Sequence, residues 1–264
     1  MSGGAVIELQ QVARSFDGGR SFAVDGVDLS IGAGEFLALV GTSGSGKTTT
    51  LKMINRLVEP DRGRVLVEGG SASDLTAADL RRRIGYVFQG IGLFPHLSVA
   101  ENIGITPSLL GWSRADTDAR ALELLDLVGL PRSYASRAPA ALSGGERQRI
   151  GVARALAARP KIVLMDEPFG ALDPVTRDSL GRAYRDLHER LGLTTVMVTH
   201  DMQEAILLAD RIAVMRHGKL VALGAPGELH SGAADPEVRD LLDMPRRQAE
   251  RVRERLGEEG GGHG

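Results

Sequence analysis

The sequence predicts an α/β fold built on a mostly parallel sheet. Three observations predict it. From Lys161 to Leu223 short apolar runs alternate with a helix-period segment, as in strand–helix–strand units. A glycine-rich stretch, Gly41 to Thr48, lies between an apolar run and a second helix-period segment. The run before it, FLALV, is continuous rather than alternating, which suits a strand buried on both faces. The 264 residues include 42% hydrophobic and 25% charged side chains, enough to fill one large domain or two small ones.

Taken in order, VIELQQV alternates around Ile7, Leu9 and Val12 and predicts the first strand. FAVDGVDLSI and EFLALV predict the next two, parted by turn residues at Gly32 to Gly34. TTTLKMINRLV places Leu51, Ile54, Leu57 and Val58 at helical spacing. Short strands are expected at 64–67 and 84–88. The period then turns helical over about 98–158. ALELLDLVGL ends at Gly129 and Pro131, and a second helix starts at Ser143 and stops before Pro160. This region reads as a helical insert. KIVLM, TTVMVT, RIAVM and KLVAL bring the strands back, with a helix over about 174–191 between the first two. The division expected is one domain over 1–234, then a charged helix and flexible tail over 235–264 with no regulatory domain; within it MPRRQAERVRERLGEE, 244–259, is expected to be solvated.

Several functions are excluded. With no Cys, the chain has no disulfide framework, thiolate nucleophile or Cys-ligated metal. No apolar run approaches the roughly 20 residues of a spanning helix. The start, MSGGAVIELQ, lacks the basic and apolar regions of a secretory signal. A net charge of −2 argues against a nucleic-acid coat, and no nucleic acid is expected as a partner.

The chemistry sits in three motifs. GTSGSGKT, Gly41 to Thr48, matches the phosphate-loop pattern in its required setting of strand before and helix after. Gly41, Gly44 and Gly46 let backbone N–H groups converge on an anion, and the helix that follows turns its positive end to it. Lys47 supplies a compact charge and Thr48 a hydroxyl for Mg²⁺. IVLMDEP delivers Asp166 to the end of a strand, where open α/β sheets bind ligands, and Glu167 follows as a candidate acceptor for a water proton. In LSGGERQR, Ser143 and Glu146 form a capping-box pair, which explains both without a ligand. Gly144 and Gly145 are poor first-turn residues and make sense if an anion approaches the backbone there.

Together these motifs resemble the nucleotide-binding subunit of an ATP-binding cassette (ABC) transporter, over about 6–229 and in the family's order. The resemblance implies a RecA-like P-loop NTPase core with an N-terminal antiparallel β subdomain and an inserted α-helical signature subdomain. It implies ATP and Mg²⁺ as ligands. Residues 41–48, continued by Thr49, resemble the Walker A motif; 162–167 resemble Walker B, with Asp166 on the metal and Glu167 catalytic. Residues 142–146 resemble the signature, with Glu146 where Gln is common, so Ser143, Gly144, Gly145 and Glu146 are carried over as nucleotide-binding. Gln89 of YVFQ matches the Q-loop, a ligand to Mg²⁺ and the attacking water. Asp173 of GALD matches the D-loop, and His200 of VTHD the switch histidine. Phe16 is placed like the aromatic that stacks on adenine. Gln89, His200 and Phe16 each also have a plainer reading on their own: surface residue, structural histidine, core aromatic.

The family's geometry implies a head-to-tail dimer, with a second copy or a paired homologue, sandwiching two ATP molecules. It implies transmembrane permease subunits and an extracytoplasmic substrate-binding protein as partners, and a place on the cytoplasmic side of the inner membrane. TTTLKMINRLVEP, LRRRIGYVFQGIGLFPHLSV and MDEPFGALDPVTRDSL are similar to the ATPase subunits of importers for glycine betaine, choline and carnitine. In such proteins IGLFPH meets the permease, which suits exposed Ile91, Leu93 and Phe94; a buried loop is the other reading. Importers of an amino acid or an oxyanion, and a soluble cassette ATPase acting on nucleic acid or ribosomes, are the alternatives.

Overall fold

The apolar run Phe36–Val40 explains the architecture, because its two sides face different cores. In the computed structural model, which describes residues 4–90, 92–232 and 235–256, this run is strand β3 and every residue in it is buried. Leu37 and Leu39 join one apolar cluster, while Phe36, Ala38 and Val40 join the other. Alternation along a strand sends successive side chains to opposite faces, so a strand between two layers must be apolar throughout.

Before β3 come β1 (Ala5–Arg14) and β2 (Val24–Gly32); after it come helix α1 (Lys47–Ile54), β4 (Arg62–Val67) and β5 (Gly70–Ser71). Among the described residues β2, β1, β4 and β5 form an antiparallel sheet. Its buried face, with Ile7, Leu9 and Ile31, closes over α1 and one side of β3. Next are α2 (Ala77–Arg83), β6 (Ile84–Val87), α3 (Val99–Leu109), α4 (Arg114–Leu127) and α5 (Gly144–Leu156). The chain then returns through β7 (Ile162–Asp166), α6 (Pro174–Leu191), β8 (Thr194–Val198), α7 (Met202–Leu208), β9 (Arg211–Arg216) and β10 (Lys219–Gly224). The second sheet runs β10-β9-β3-β8-β7-β6, parallel except for β10.

The inserted helices do not own a separate core. Ile103, Leu124 and Ile150 share one continuous cluster with Val163 and Met197 of the sheet. Against the same cluster, α6 is held by a buried polar contact. Tyr184 Oη and His188 Nδ1 lie 2.8 and 3.0 Å from Thr195 Oγ1, and His188 Nε2 lies 3.2 Å from the Gly34 carbonyl. His188 is therefore a core histidine.

Two expectations need correction. The helix expected through Val58 stops at Ile54: Arg56 takes φ 56°, and the Leu57 and Val58 amides both close on the Lys52 carbonyl. Leu93 is not exposed but packs against the core, while Phe94 is exposed; Ile91 lies outside the described residues. The segment from Asp235 begins packed on the core. After α8 (Pro226–Gly232), helix α9 (Pro236–Leu256) buries Val238 and Leu242 in the main core. Arg216 of β9 bridges to Asp235 and Glu237 at 2.6 Å each. Residues 246–256 are exposed, and the expected frayed tail, 258–264, lies outside the described residues.

Candidate nucleotide site

Four neighbouring parallel strands end on one edge of the sheet. Leu39 of β3 and Asp166 of β7 both pair with Val198 of β8, and Val87 of β6 pairs with Met165. The residues that follow therefore emerge side by side: Gly41 after β3, His200 after β8, Glu167 after β7 and Gln89 after β6. This is the edge where open parallel sheets take ligands.

The glycine loop wraps the first of these ends. Gly41, Gly44 and Gly46 have φ of 144°, 77° and 102°. A Cβ on Gly41 would strike the Met215 carbonyl oxygen, and one on Gly46 that of Ala23. The turn therefore sits too close to β9 and to the start of β2 for any side chain. Ser45 is buried and its carbonyl accepts from the Gly218 amide at 3.1 Å; Thr42, Ser43 and Gly44 are exposed at the mouth. Gly46 caps α1, and Thr49 lies half-buried in the first turn of that helix. Lys47 curls back across the loop, its Nζ 2.9 Å from the Gly41 carbonyl, 2.8 Å from that of Thr42 and 3.4 Å from Ser45 Oγ. Burial lowers its pKa, while Glu167 and Asp166 hold it up.

Thr48 Oγ1 donates to Asp166 Oδ1 at 2.9 Å, joining the loop to β7. Burial raises the Asp166 carboxyl, opposed by the Thr48 bond and by Lys52. Glu167 holds a φ of 47°, which an L side chain adopts only under constraint. Its amide donates to the Val198 carbonyl at 2.9 Å, and its carboxylate Oε2 lies 3.4 Å from His200 Nδ1. His200 is 64% exposed and Glu167 25%, so the pair faces outward. Gln89 is exposed beside them.

Phe16, the Ser143–Glu146 turn and Asp173 stand apart from this group, and Gln89 shares the sheet edge with it. Among the described residues no hydrogen bond joins Gln89, Phe16 or the Ser143–Glu146 turn to Lys47, Asp166 or Glu167. Phe16 is 64% exposed, so it is not core; the Arg14 guanidinium sits 4.9 Å from its ring. Its loop is set by Asp17, which accepts from the Ser21 hydroxyl and amide, the Ser15 hydroxyl and the Arg20 amide; these bonds pull its pKa down to about 2. Ser143 caps α5. Glu146, expected to face nucleotide, has both oxygens engaged within its own chain, on the Ser143 amide at 2.7 Å and the Tyr134 hydroxyl at 2.9 Å. Gly144 is different: a Cβ there would meet nothing within 4 Å, so packing inside the chain does not require glycine. Asp173 caps α6, accepting from the Thr176 amide at 3.0 Å.

Three supporting residues escaped the sequence reading. Asn102, fully buried, donates to the carbonyls of Phe94, Leu97 and Ser98 and accepts from the Phe94 amide, which fixes the loop after Gln89. Arg154 reaches the Gly92 carbonyl at 2.6 Å. Arg177 bridges the Leu172 carbonyl and Asp201. Asn102 and Arg154 lie on helix faces that read only as amphipathic, and Arg177 follows GALD without a motif of its own.

Comparison with known proteins gives a consistent family. A family profile described as ABC transporter matches residues 24–170. The glycine betaine/carnitine/choline transport ATP-binding protein OpuCA of Bacillus subtilis is 49% identical over 91% of this chain and 63% of its own length. The glycine betaine uptake system ATP-binding protein YehX of Escherichia coli is 50% identical over 90% of this chain and 76% of its own. The chain thus spans less than two thirds of the length of the Bacillus relative. A solved dimeric ATP-binding cassette, in a post-hydrolysis state bound to ADP and Pi, superimposes with a TM-score of 0.77 at 34% identity, covering 83% of this chain and 98% of that one. The α/β architecture is that of the P-loop NTPase cassette, and the chain belongs to the ABC transporter family.

Proposed function

We propose that this chain binds and hydrolyses ATP as a subunit of a membrane importer for a quaternary ammonium osmoprotectant such as glycine betaine, choline or carnitine. The observation that carries the ATPase reading is the convergence on one sheet edge of the Lys47 loop, the Thr48–Asp166 pair and the Glu167–His200 pair. The names of the relatives at 48–50% identity, among them a choline transport protein of Bacillus subtilis, carry the substrate class.

The residues fit the ligands. The loop amides and the positive end of α1 suit a polyphosphate, and Lys47 exchanges its carbonyl partners for phosphate oxygens. Thr48 and Asp166 offer hard oxygen donors 2.9 Å apart, the set that Mg²⁺ takes, with Gln89 as a further oxygen. When bound, that ion neutralises charge on the phosphates. Glu167 accepts the proton of a water that attacks the γ-phosphorus. The new bond joins water oxygen to phosphorus, the bond from phosphorus to the ADP oxygen breaks, and phosphate leaves. His200 holds the carboxylate in place from 3.4 Å.

Permease subunits dock where Phe88 and Phe94 are exposed on either side of the segment after Gln89. The substrate then meets the permease and its binding protein rather than this chain, which sits at the cytoplasmic face of the inner membrane. A second reading rests on the sulfate/thiosulfate import ATP-binding protein CysA of Synechococcus elongatus, 44% identical over 89% of this chain. The test is to purify the complex with its partner subunits, place it in vesicles and measure uptake. Labelled betaine, choline or carnitine should enter with ATP and fail to enter with Lys47→Ala. Entry of sulfate instead would establish the second reading.

A further inference from the structure

His200 is exposed at a strand end, yet its neighbours on both sides are fastened. Thr199 Oγ1 donates to Glu204 Oε2 at 2.7 Å and accepts from the Asp201 amide at 3.0 Å. Asp201 caps α7 through the Gln203 and Glu204 amides at 2.8 and 3.3 Å. One guanidinium spans from this turn to the next loop. Arg177, on α6, donates from Nη1 to Asp201 Oδ2 at 3.1 Å and from Nη2 to the Leu172 carbonyl at 3.2 Å. Its Nε is buried, makes no hydrogen bond, and stands 3.6 Å from Glu204 Oε1. Leu172 precedes Asp173, and a Cβ placed on Gly145 would lie 3.4 Å from Leu172 Cδ2 and 3.9 Å from Thr176 Cγ2. The first turn of α5 therefore leans on the segment that Arg177 holds.

We propose that Arg177 is a positioning residue for hydrolysis: it fixes the turn carrying His200 against the loop of Leu172 and Asp173. This rests on the reading of Glu167 and His200 as the hydrolytic pair. A planar guanidinium with several donors can serve a carbonyl and two carboxylates at once, and an ammonium cannot span all three. Among the described residues Arg177 is the cation in the ion pairs of both Asp201 and Glu204. Glu204 is mostly buried, and burial raises its carboxyl against the pull of Thr199 and Arg177, so losing the cation loosens its hold on Thr199. Because Arg177 touches neither Glu167 nor the phosphate loop, its effect falls on the rate of the chemical step and not on nucleotide affinity. The same contact makes the loop of Asp173 and the start of α5 one body with the His200 turn.

The experiment measures ATP hydrolysis and ATP affinity of the full chain. The variants are Arg177→Met, Arg177→Lys and Glu204→Gln, each alone and with His200→Ala, with Glu167→Gln as reference. Arg177→Met should lower kcat on the order of tenfold to a hundredfold, the scale of a misplaced catalytic group, with KM for ATP within about twofold. Arg177→Lys should recover part of the loss, and Glu204→Gln should show a smaller drop of the same kind. With His200 already replaced by Ala, Arg177→Met should cost less than about twofold more, because groups acting through one another are not additive. Should Arg177→Met fail to bind ATP, Glu204→Gln and Arg177→Lys decide. Full rates in the Arg177 and Glu204 variants against a dead Glu167→Gln overturn the positioning role alone. So do losses that multiply with His200→Ala. A Glu167→Gln variant as fast as the unmodified chain overturns the hydrolytic reading, and this one with it.

Discussion

Asp166 is buried, and without a bound cation its charge is poorly solvated. Burial raises its pKa above that of the unfolded chain. A carboxyl raised in the folded state contributes stability only while it is protonated. That contribution is complete below the ordinary Asp range near pH 4 and is lost as pH rises through the folded value. At neutral pH Asp166 therefore costs the nucleotide-free protein stability. Asp166→Asn keeps an oxygen for the Thr48 hydroxyl and removes the charge. It should unfold at higher temperature or urea than the unmodified chain at pH 7, by on the order of 1 kcal/mol, with the gap closing towards pH 4. Urea titrations at the two pH values check this. The same variant should lose the response of ATP binding to Mg²⁺, since a neutral amide replaces the carboxylate proposed to hold the ion.

At the scale of elements, two short connections carry more than their length suggests. The glycine loop is packed from outside by β9 and the start of β2, so Gly46→Ala meets both a left-handed backbone and the Ala23 carbonyl. It should cost about 3 kcal/mol or more and abolish ATP binding, as read by thermal unfolding and calorimetry. Asn102→Ala removes four hydrogen bonds from the loop over 94–98 and leaves backbone groups unpaired, a loss of about 2 to 4 kcal/mol. Hydrogen exchange at the Phe94 amide should quicken well before exchange in β3. How much was legible in the sequence follows from where each feature's cause lies. The strands of the central sheet were, because a double-faced strand must be apolar throughout, and so was the glycine loop, because only glycine makes that turn. The early stop of α1 was not, since Leu57 and Val58 keep the helical period while Arg56 leaves it. The burial of Val238 and Leu242 was legible only in part: Val238, Leu242, Ala249, Val252 and Leu256 recur at helical spacing, but the spacing does not say which end of the stripe meets the core. The Arg177 bridge depends on three segments meeting, and local sequence carries no trace of such a meeting.

The whole molecule presents two anion-seeking helix starts that no hydrogen bond connects among the described residues. One, at Gly46, is wrapped by its own chain. The other, at Ser143–Gly145, has open space beside Gly144, where a methyl group would meet nothing. A helix start with that much room, and a carboxylate turned inward onto its own cap, is built to receive charge from outside the chain. In the head-to-tail dimer proposed for this chain, the γ-phosphate held on the Lys47 loop of one copy would meet the α5 start of the other. The related cassette solved with ADP and Pi is itself dimeric. In that dimer hydrolysis would remove the phosphate that bridges the copies, so a chain that binds but does not hydrolyse should stay paired. Glu167→Gln with Mg²⁺-ATP should run as a dimer in light scattering and fall to monomer when nucleotide is removed. Its turnover should drop by about a hundredfold or more, the scale of a lost general base. Adding Ser143→Arg to Glu167→Gln blocks the open helix start without touching the Lys47 loop. The double variant should bind ATP normally and remain monomeric. A dimer that survives Ser143→Arg, or a Glu167→Gln chain that stays monomeric with ATP bound, would show that the two helix starts do not share one phosphate.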